Sequence, residues 1–202
     1  MQLTERQIVS RIRARGRGFV FTPKLFASGS SDPRAVATAL GRLVRKGAIR
    51  RLAHGLYDLP VVHPKLGRLM PSVDDVVRAI QDSEAITVQP TGAYAANLLG
   101  LSTQIPMRVE LLTDGRRKVI RYGKQEILLK PTSPRNMAAA GTKTGLIIQA
   151  LRHIGQRNVN EPVLRKIAEQ LDDRERKAMM KLRLYAPAWI ARHLSTLASG
   201  RI

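Results

Sequence analysis

The feature that most constrains the fold is a change of hydrophobic period between residues 33 and 60. Val36, Leu40, Leu43 and Val44 recur at helical spacing, and Arg45, Lys46 and Gly47 close that helix. A short alternating segment follows, turns at His54-Gly55 and ends at Tyr57. A 3.6-residue period that gives way to a two-residue period within one chain segment excludes both a pure bundle and a pure sandwich, and predicts an α+β protein. In a two-residue turn, Gly55 supplies a positive φ at no cost and His54 tolerates one. The expected pairings are then Ala53 with Leu56, Leu52 with Tyr57 and Arg51 with Asp58, and Leu52, Tyr57 and Leu59 face the helices.

Upstream, Thr4 fits an N-cap, Gln7 completes a capping box, and Leu3 with Ile8 forms a hydrophobic staple. Ile8, Val9 and Ile12 make one apolar stripe, and Gly16 ends the helix. Phe19-Val20-Phe21 reads as a short strand, and Thr22-Pro23 opens a short second helix through Leu25 and Phe26. Gly29-Ser30-Ser31-Asp32-Pro33 breaks the chain, with Asp32 capping the third helix. The order helix, short helix, long helix, hairpin is that of a winged helix-turn-helix, in which the third helix enters the major groove.

At about 100° per residue, Arg34, Thr38, Arg42 and Arg45 fall within roughly 80° of one another, opposite the apolar side of that third helix. A solvated surface is the competing reading of such a stripe. Charge bears on the choice: 35 Lys and Arg against 15 Asp and Glu give a formal +20, which favours a polyanionic partner, nucleic acid before membrane. Residues 1–60 are the densest part, with 12 basic against 3 acidic residues. Lys24, Ser31, Arg34, Thr38, Arg42, Arg45, Lys46, Arg50, Arg51 and His54 are the DNA-binding candidates. Arg50 and His54, at the base and tip of the wing, suit phosphate; Arg51 is either neutralised by Asp58 across the strands or a DNA contact.

The stretches "FTPKLFA", "AVATALGRLVRKGAIRRLAHGLYDLP" and "QPTGAYAANLLGLSTQIP", in this order across residues 19–106, resemble the AbiEi-type antitoxins of type IV (abortive-infection) toxin-antitoxin systems. The resemblance implies a winged helix that binds double-stranded DNA at its own promoter as a repressor, and a C-terminal region that counteracts a toxin resembling a nucleotidyltransferase. It places DNA reading on Arg34, Thr38, Arg42 and Arg45, with wing contact near Arg50 to Gly55. Two winged modules on an inverted repeat would make a homodimer on DNA, although no heptad seam announces one. A stand-alone or ligand-gated winged-helix transcriptional regulator and a nucleic-acid-processing enzyme are the alternative readings.

"PVVHPKLGRLMP", with three prolines and a glycine, reads as a linker over 61–71 between a winged domain at 1–60 and an α+β interaction domain at 72–202. Ser72 caps a helix carrying Asp74 and Asp75 in its first turn. Residues 85–88, 107–112, 118–122 and 126–129 read as strands of a small antiparallel sheet within about 85–130, with Thr91 to Leu99 helical. Residues 144–199 form a helical tail, in which Trp189 is expected in the core and Arg174, Arg176, Lys177, Lys181 and Arg183 form a second basic patch.

No catalytic site, cofactor or metal site is expected. "GTKTG" at 141–145 lacks phosphate-loop spacing, and Lys143-Thr144-Gly145 has no Ser-x-x-Lys partner. Asp114 and Glu126 have no Glu-x-Lys to complete a nuclease site. His54, His63, His153 and His193 show no paired ligand spacing. The absence of an apolar span or signal segment and of cysteine points to the cytoplasm.

Overall fold

A computed structural model describes residues 5–27, 32–104 and 106–200. The Thr4 cap with its Leu3 staple, and Ser31, lie outside the described residues. Two compact units are present: residues 1–86 with 120–124, and residues 87–119 with 125–202.

In the first unit the elements run α1 (Glu5–Arg13), β1 (Val20–Phe21), a 3-10 turn (Pro23–Phe26), α2 (Pro33–Arg45), β2 (Arg50–Ala53), β3 (Leu56–Asp58), β4 (Val62–His63), β5 (Gly67–Arg68) and α3 (Val73–Glu84). The Asp32 side chain accepts the Arg34 N–H and Pro33 occupies the first turn of α2, so the helix starts where the cap signal placed it. Its apolar stripe, Val36, Ala39, Leu40 and Leu43, packs with Ile8 and Ile12 of α1, Phe21, Phe26, Ile49 and Tyr57. Phe21 is the centre of this core: it stacks on Phe19 and Tyr57 and meets Phe26 edge-on. Strands β1, β3 and β2 lie side by side in that order, all antiparallel.

The β2–β3 register differs from the expected one. Ala53 pairs with Leu56, but an irregularity at Leu52 shifts the ladder, so Arg51 pairs with Tyr57 and Arg50 with Asp58. A bulge inserts one unpaired residue and exchanges the faces of everything beyond it. Of the turn residues only Gly55 has a positive φ, +69°; His54 does not use that region. Within the expected linker, Val62 pairs with Arg68 and His63 with Gly67, making a second hairpin from β4 and β5. Ser72 accepts the Asp75 N–H and caps α3, which ends at Ala85 in the left-handed region. That conformation is why the expected strand at 85–88 begins only at Val88.

The second unit contains β6 (Val88–Pro90), α4 (Gly92–Leu98), β7 (Arg108–Thr113), β8 (Lys118–Tyr122, whose last three residues group with the first unit), β9 (Gln125–Pro131), α5 (Pro134–Met137), α6 (Lys143–Ile154), α7 (Glu161–Ala168), α8 (Asp173–Leu182) and α9 (Ala188–Ser199). The sheet order is β6-β7-β9-β8. The expectation of an antiparallel sheet is met at β6–β7 and corrected at β7–β9, which run parallel from Arg108↔Glu126 to Thr113↔Pro131. A tight turn after Tyr122 reverses the chain, and β9 then slots between β7 and β8, so it runs the same way as β7. Pro90, which has no N–H to give a ladder, ends the edge strand β6. The α-helices bury Ile147, Leu151, Ile167, Met179, Ile190, Leu194 and Leu197 together, while Trp189 is only partly buried beside them. Asp172 opens α8 with a full capping box to Glu175.

Candidate nucleic-acid interface

The apolar stripe of α2 fixes which way its other side chains point. With Val36, Leu40 and Leu43 buried, Arg34, Thr38, Arg42, Arg45 and Lys46 are all exposed. Among the described residues no ion pair or hydrogen bond engages the Arg34 or Arg45 guanidinium. Glu5, at the start of α1, partly neutralises the C-terminal half of the stripe: its carboxylate is 2.7 Å from Lys46 Nζ and 3.7 Å from Arg42 Nη1. The hydrogen bond from Lys46 is the main reason the Glu5 carboxyl is held below its ordinary value of 4.5, with Arg42 adding to it. Arg42 nevertheless keeps 58 % of its side chain exposed.

The register shift in the hairpin exchanges the roles of its two arginines. Arg50, expected to meet phosphate, lies against Asp58: Nε donates to Oδ1 at 3.0 Å and Nη2 to Oδ2 at 2.5 Å, a bidentate pair in which Asp58 is only 1 % exposed. Nη2 also donates to the Leu69 carbonyl at 2.7 Å. Arg51, which the expected register placed opposite Asp58 with neutralisation and a DNA contact as the two readings, does not meet that carboxylate: it is exposed and donates to His54 Nδ1 at 3.1 Å. Lys24 is exposed, but its ammonium donates to the Ser83 carbonyl at 2.7 Å. The structure thus brings Arg34, Thr38, Arg42, Arg45 and Lys46 onto one surface, puts Arg51 and His54 together at the hairpin tip, and removes Arg50 and Lys24 to structural duties.

Glu5 and the β4–β5 hairpin are the parts of this surface that sequence reasoning missed. Glu5 lies 41 residues from Lys46, and a first-turn acid reads as a dipole partner rather than a distant ion pair. Strands of two residues give almost no periodic signal; His63-Pro64 followed by Gly67 was the available cue.

The fragments that resemble enzyme motifs have structural roles. Thr142 caps α6 by accepting the Gly145 N–H, and Lys143 holds the Gln170 carbonyl and Glu175. Gly145 is required because a Cβ there would lie 2.1 Å from the Ala139 carbonyl oxygen. Asp114 accepts the Thr87 N–H, and Glu126 is paired with Arg108 at 3.2 Å. Among the described residues no group of three or more His, Asp or Glu is placed to hold a metal ion, and no helix is long and apolar enough to cross a membrane. In the second basic patch, Arg174, Lys177 and Lys181 are exposed. Arg176 there donates to the Leu197 and Ala168 carbonyls, and Arg183 to Ser195 Oγ.

The fold and this surface define a two-unit α+β protein that presents a basic helix face. The chain belongs to a family of unknown function, DUF6088, whose family model matches residues 7–179. No curated protein matches it. Among solved structures it has a distant likeness to the RV2827C protein from Mycobacterium tuberculosis, at 16 % identity over 96 % of this chain and 80 % of that one, with a TM-score of 0.45.

Proposed function

We propose that the first unit is a winged helix-turn-helix that binds double-stranded DNA, with α2 as the recognition helix, and that the protein represses its own promoter in the cytoplasm. The observation that carries this reading is the exposed row Arg34, Thr38, Arg42 and Arg45 on the side of α2 opposite its buried stripe. A helix that buries one flank and offers cations on the other matches major-groove width and the donor pattern needed for guanine edges and phosphates. Arg51 and His54 at the β2–β3 tip extend the contact to the flanking backbone. On the strength of the AbiEi-type resemblance, we further propose that the second unit counteracts a nucleotidyltransferase-like toxin, with the DNA-binding unit autoregulating the operon.

A gel shift on the DNA upstream of the reading frame tests the first part. Engagement of about 6 to 10 phosphates gives a slope of log K against log salt of about −5 to −9. No shift at low salt overturns the reading. The antitoxin part is tested by co-expression with the neighbouring reading frame: rescue of growth supports it, and toxicity that this protein leaves unchanged rejects it.

A second reading, a regulator gated by a small molecule, is favoured by a half-open cleft of about 430 Å³ in the first unit. Phe19, Phe21, Lys24, Asp75 and Arg78 are among the residues lining it, and Arg15 lies over the Phe19 ring. Two phenylalanine side chains flanked by charged groups of both signs suit a charged aromatic ligand. A thermal-shift screen of charged aromatic metabolites that raises the melting temperature supports gating; a screen without a hit counts against it.

A further inference from the structure

The chain from Leu59 to Val73 contains no acidic residue and carries His63, Lys65 and Arg68. Its β4–β5 hairpin is exposed at every position from Val62 to Arg68. At the tip, His63 Nδ1 accepts the N–H groups of Lys65 and Leu66, both at 3.2 Å, and Gly67 adopts a φ of +71°. These contacts shape a turn that holds Leu66 outward, 72 % exposed, beside Pro64.

A two-stranded hairpin has little stability alone, and this one is tied down at its root. Leu69 N–H donates to the Val61 carbonyl at 2.9 Å, and Arg50 donates to the Leu69 carbonyl. Arg68 Nη2 donates to the Gly47 carbonyl at 3.4 Å, directly after the C-cap of α2. The hairpin is therefore an arm rooted at the end of the proposed recognition helix.

Its chemistry fits one groove of duplex DNA. A narrow ribbon with cations and no acid suits the minor groove, where the negative potential is concentrated. An apolar side chain at the tip has a defined use there: leucine or proline inserted between base steps partly unstacks them and kinks the duplex. The β2–β3 tip lacks this element, since Arg51, His54 and Gly55 offer only polar contacts and backbone.

We propose that the β4–β5 hairpin is a second DNA-binding element that enters the minor groove beside the segment met by α2, with Leu66 as the wedge and Lys65 as a phosphate contact. This rests on the DNA-binding reading above and adds to it a distortion of the duplex.

The test uses the full-length protein and needs no knowledge of the operator. A relaxed closed-circular plasmid is incubated with the protein and topoisomerase I at low salt, deproteinised, and its linking number measured; filter binding on the same plasmid gives the amount bound. The wild type lowers the linking number in proportion to protein bound. Leu66→Ser, at an exposed position, keeps the wild-type circular dichroism spectrum, retains affinity within about tenfold, and loses most of the linking-number change per bound protein. An Arg34→Ala/Arg45→Ala double variant shows the opposite pattern, with weaker binding and an undiminished change per bound molecule. Leu66→Ser protein that unwinds as much per bound molecule as the wild type overturns the wedge and leaves the α2 contact standing. Wild-type protein that does not bind the plasmid overturns both.

Discussion

Two arginine-rich helices, α2 in the first unit and α8 in the second, carry similar basic runs in sequence and use them differently. On α2 the cations project from the side opposite a continuous buried stripe, and their one acidic partner among the described residues is Glu5. On α8, Arg176 reaches the carbonyls of Ala168 and Leu197 at the ends of neighbouring helices, and Arg183, the C-cap of α8, reaches Ser195 Oγ. Each of these carbonyls already accepts one backbone N–H, from Leu171 and Gly200, and has a second lone pair to offer, which a guanidinium with several donors in a fixed fork can use. An arginine whose guanidinium donates to neighbouring helices holds structure together, whereas one aimed at solvent from a packed helix is available to meet a partner.

The distinction can be broken or sharpened by substitution. The largest expected effect is at Arg50, which is on the unit proposed to bind DNA but behaves as a structural arginine. Arg50→Ala leaves the Asp58 carboxylate buried and unpaired, at a cost of about 3 to 5 kcal/mol in denaturant unfolding. Arg176→Ala removes two charge-assisted bonds to backbone carbonyls and is expected to cost about 1.5 to 3 kcal/mol while leaving DNA affinity unchanged. A loss of DNA affinity with unchanged stability would reverse the assignment of α8.

Arg42→Ala should do the converse. It changes folding by no more than about 0.5 kcal/mol and weakens binding to the upstream DNA by roughly 1 to 3 kcal/mol if Arg42 meets a base. The smallest effect is at Glu5. Glu5→Gln releases Lys46 and Arg42 and should tighten DNA binding about 2- to 5-fold at low salt. The pH dependence follows the same pair. Because the folded-state carboxyl titrates below 4.5, the ion pairs are intact above that value and are lost as pH falls through the lower, folded value. The Gln variant should therefore lose only the Glu5 contribution to the acid-dependent part of the stability curve, seen as a small flattening against the wild type by circular dichroism between pH 5 and 3, roughly the carboxylate range.

The caps at Asp32 and Ser72, and the buried stripe of α2, were legible from sequence because each depends on residues within one or two turns of one another. The same local logic put Arg34, Thr38, Arg42 and Arg45 on one exposed side. The hairpin register was not legible. One bulged residue at Leu52 decides whether Arg50 or Arg51 faces Asp58, and both ladders satisfy the alternation equally well up to that point. The parallel β7–β9 pairing escaped for a related reason: strand propensity fixes neither neighbour nor direction.

The sequence by itself determined where the helices begin, which flank of each is apolar, and that the excess charge is densest before residue 60, since periodicity, caps and composition are properties of neighbouring residues. Only the tertiary structure decided which cations remain available. Arg50, Lys24, Arg176 and Arg183 find acceptors brought to them by folding, most of them carbonyls on other elements. An arginine's reach is long and its partner unspecified by local pattern, so its role is settled only when the distant acceptor arrives.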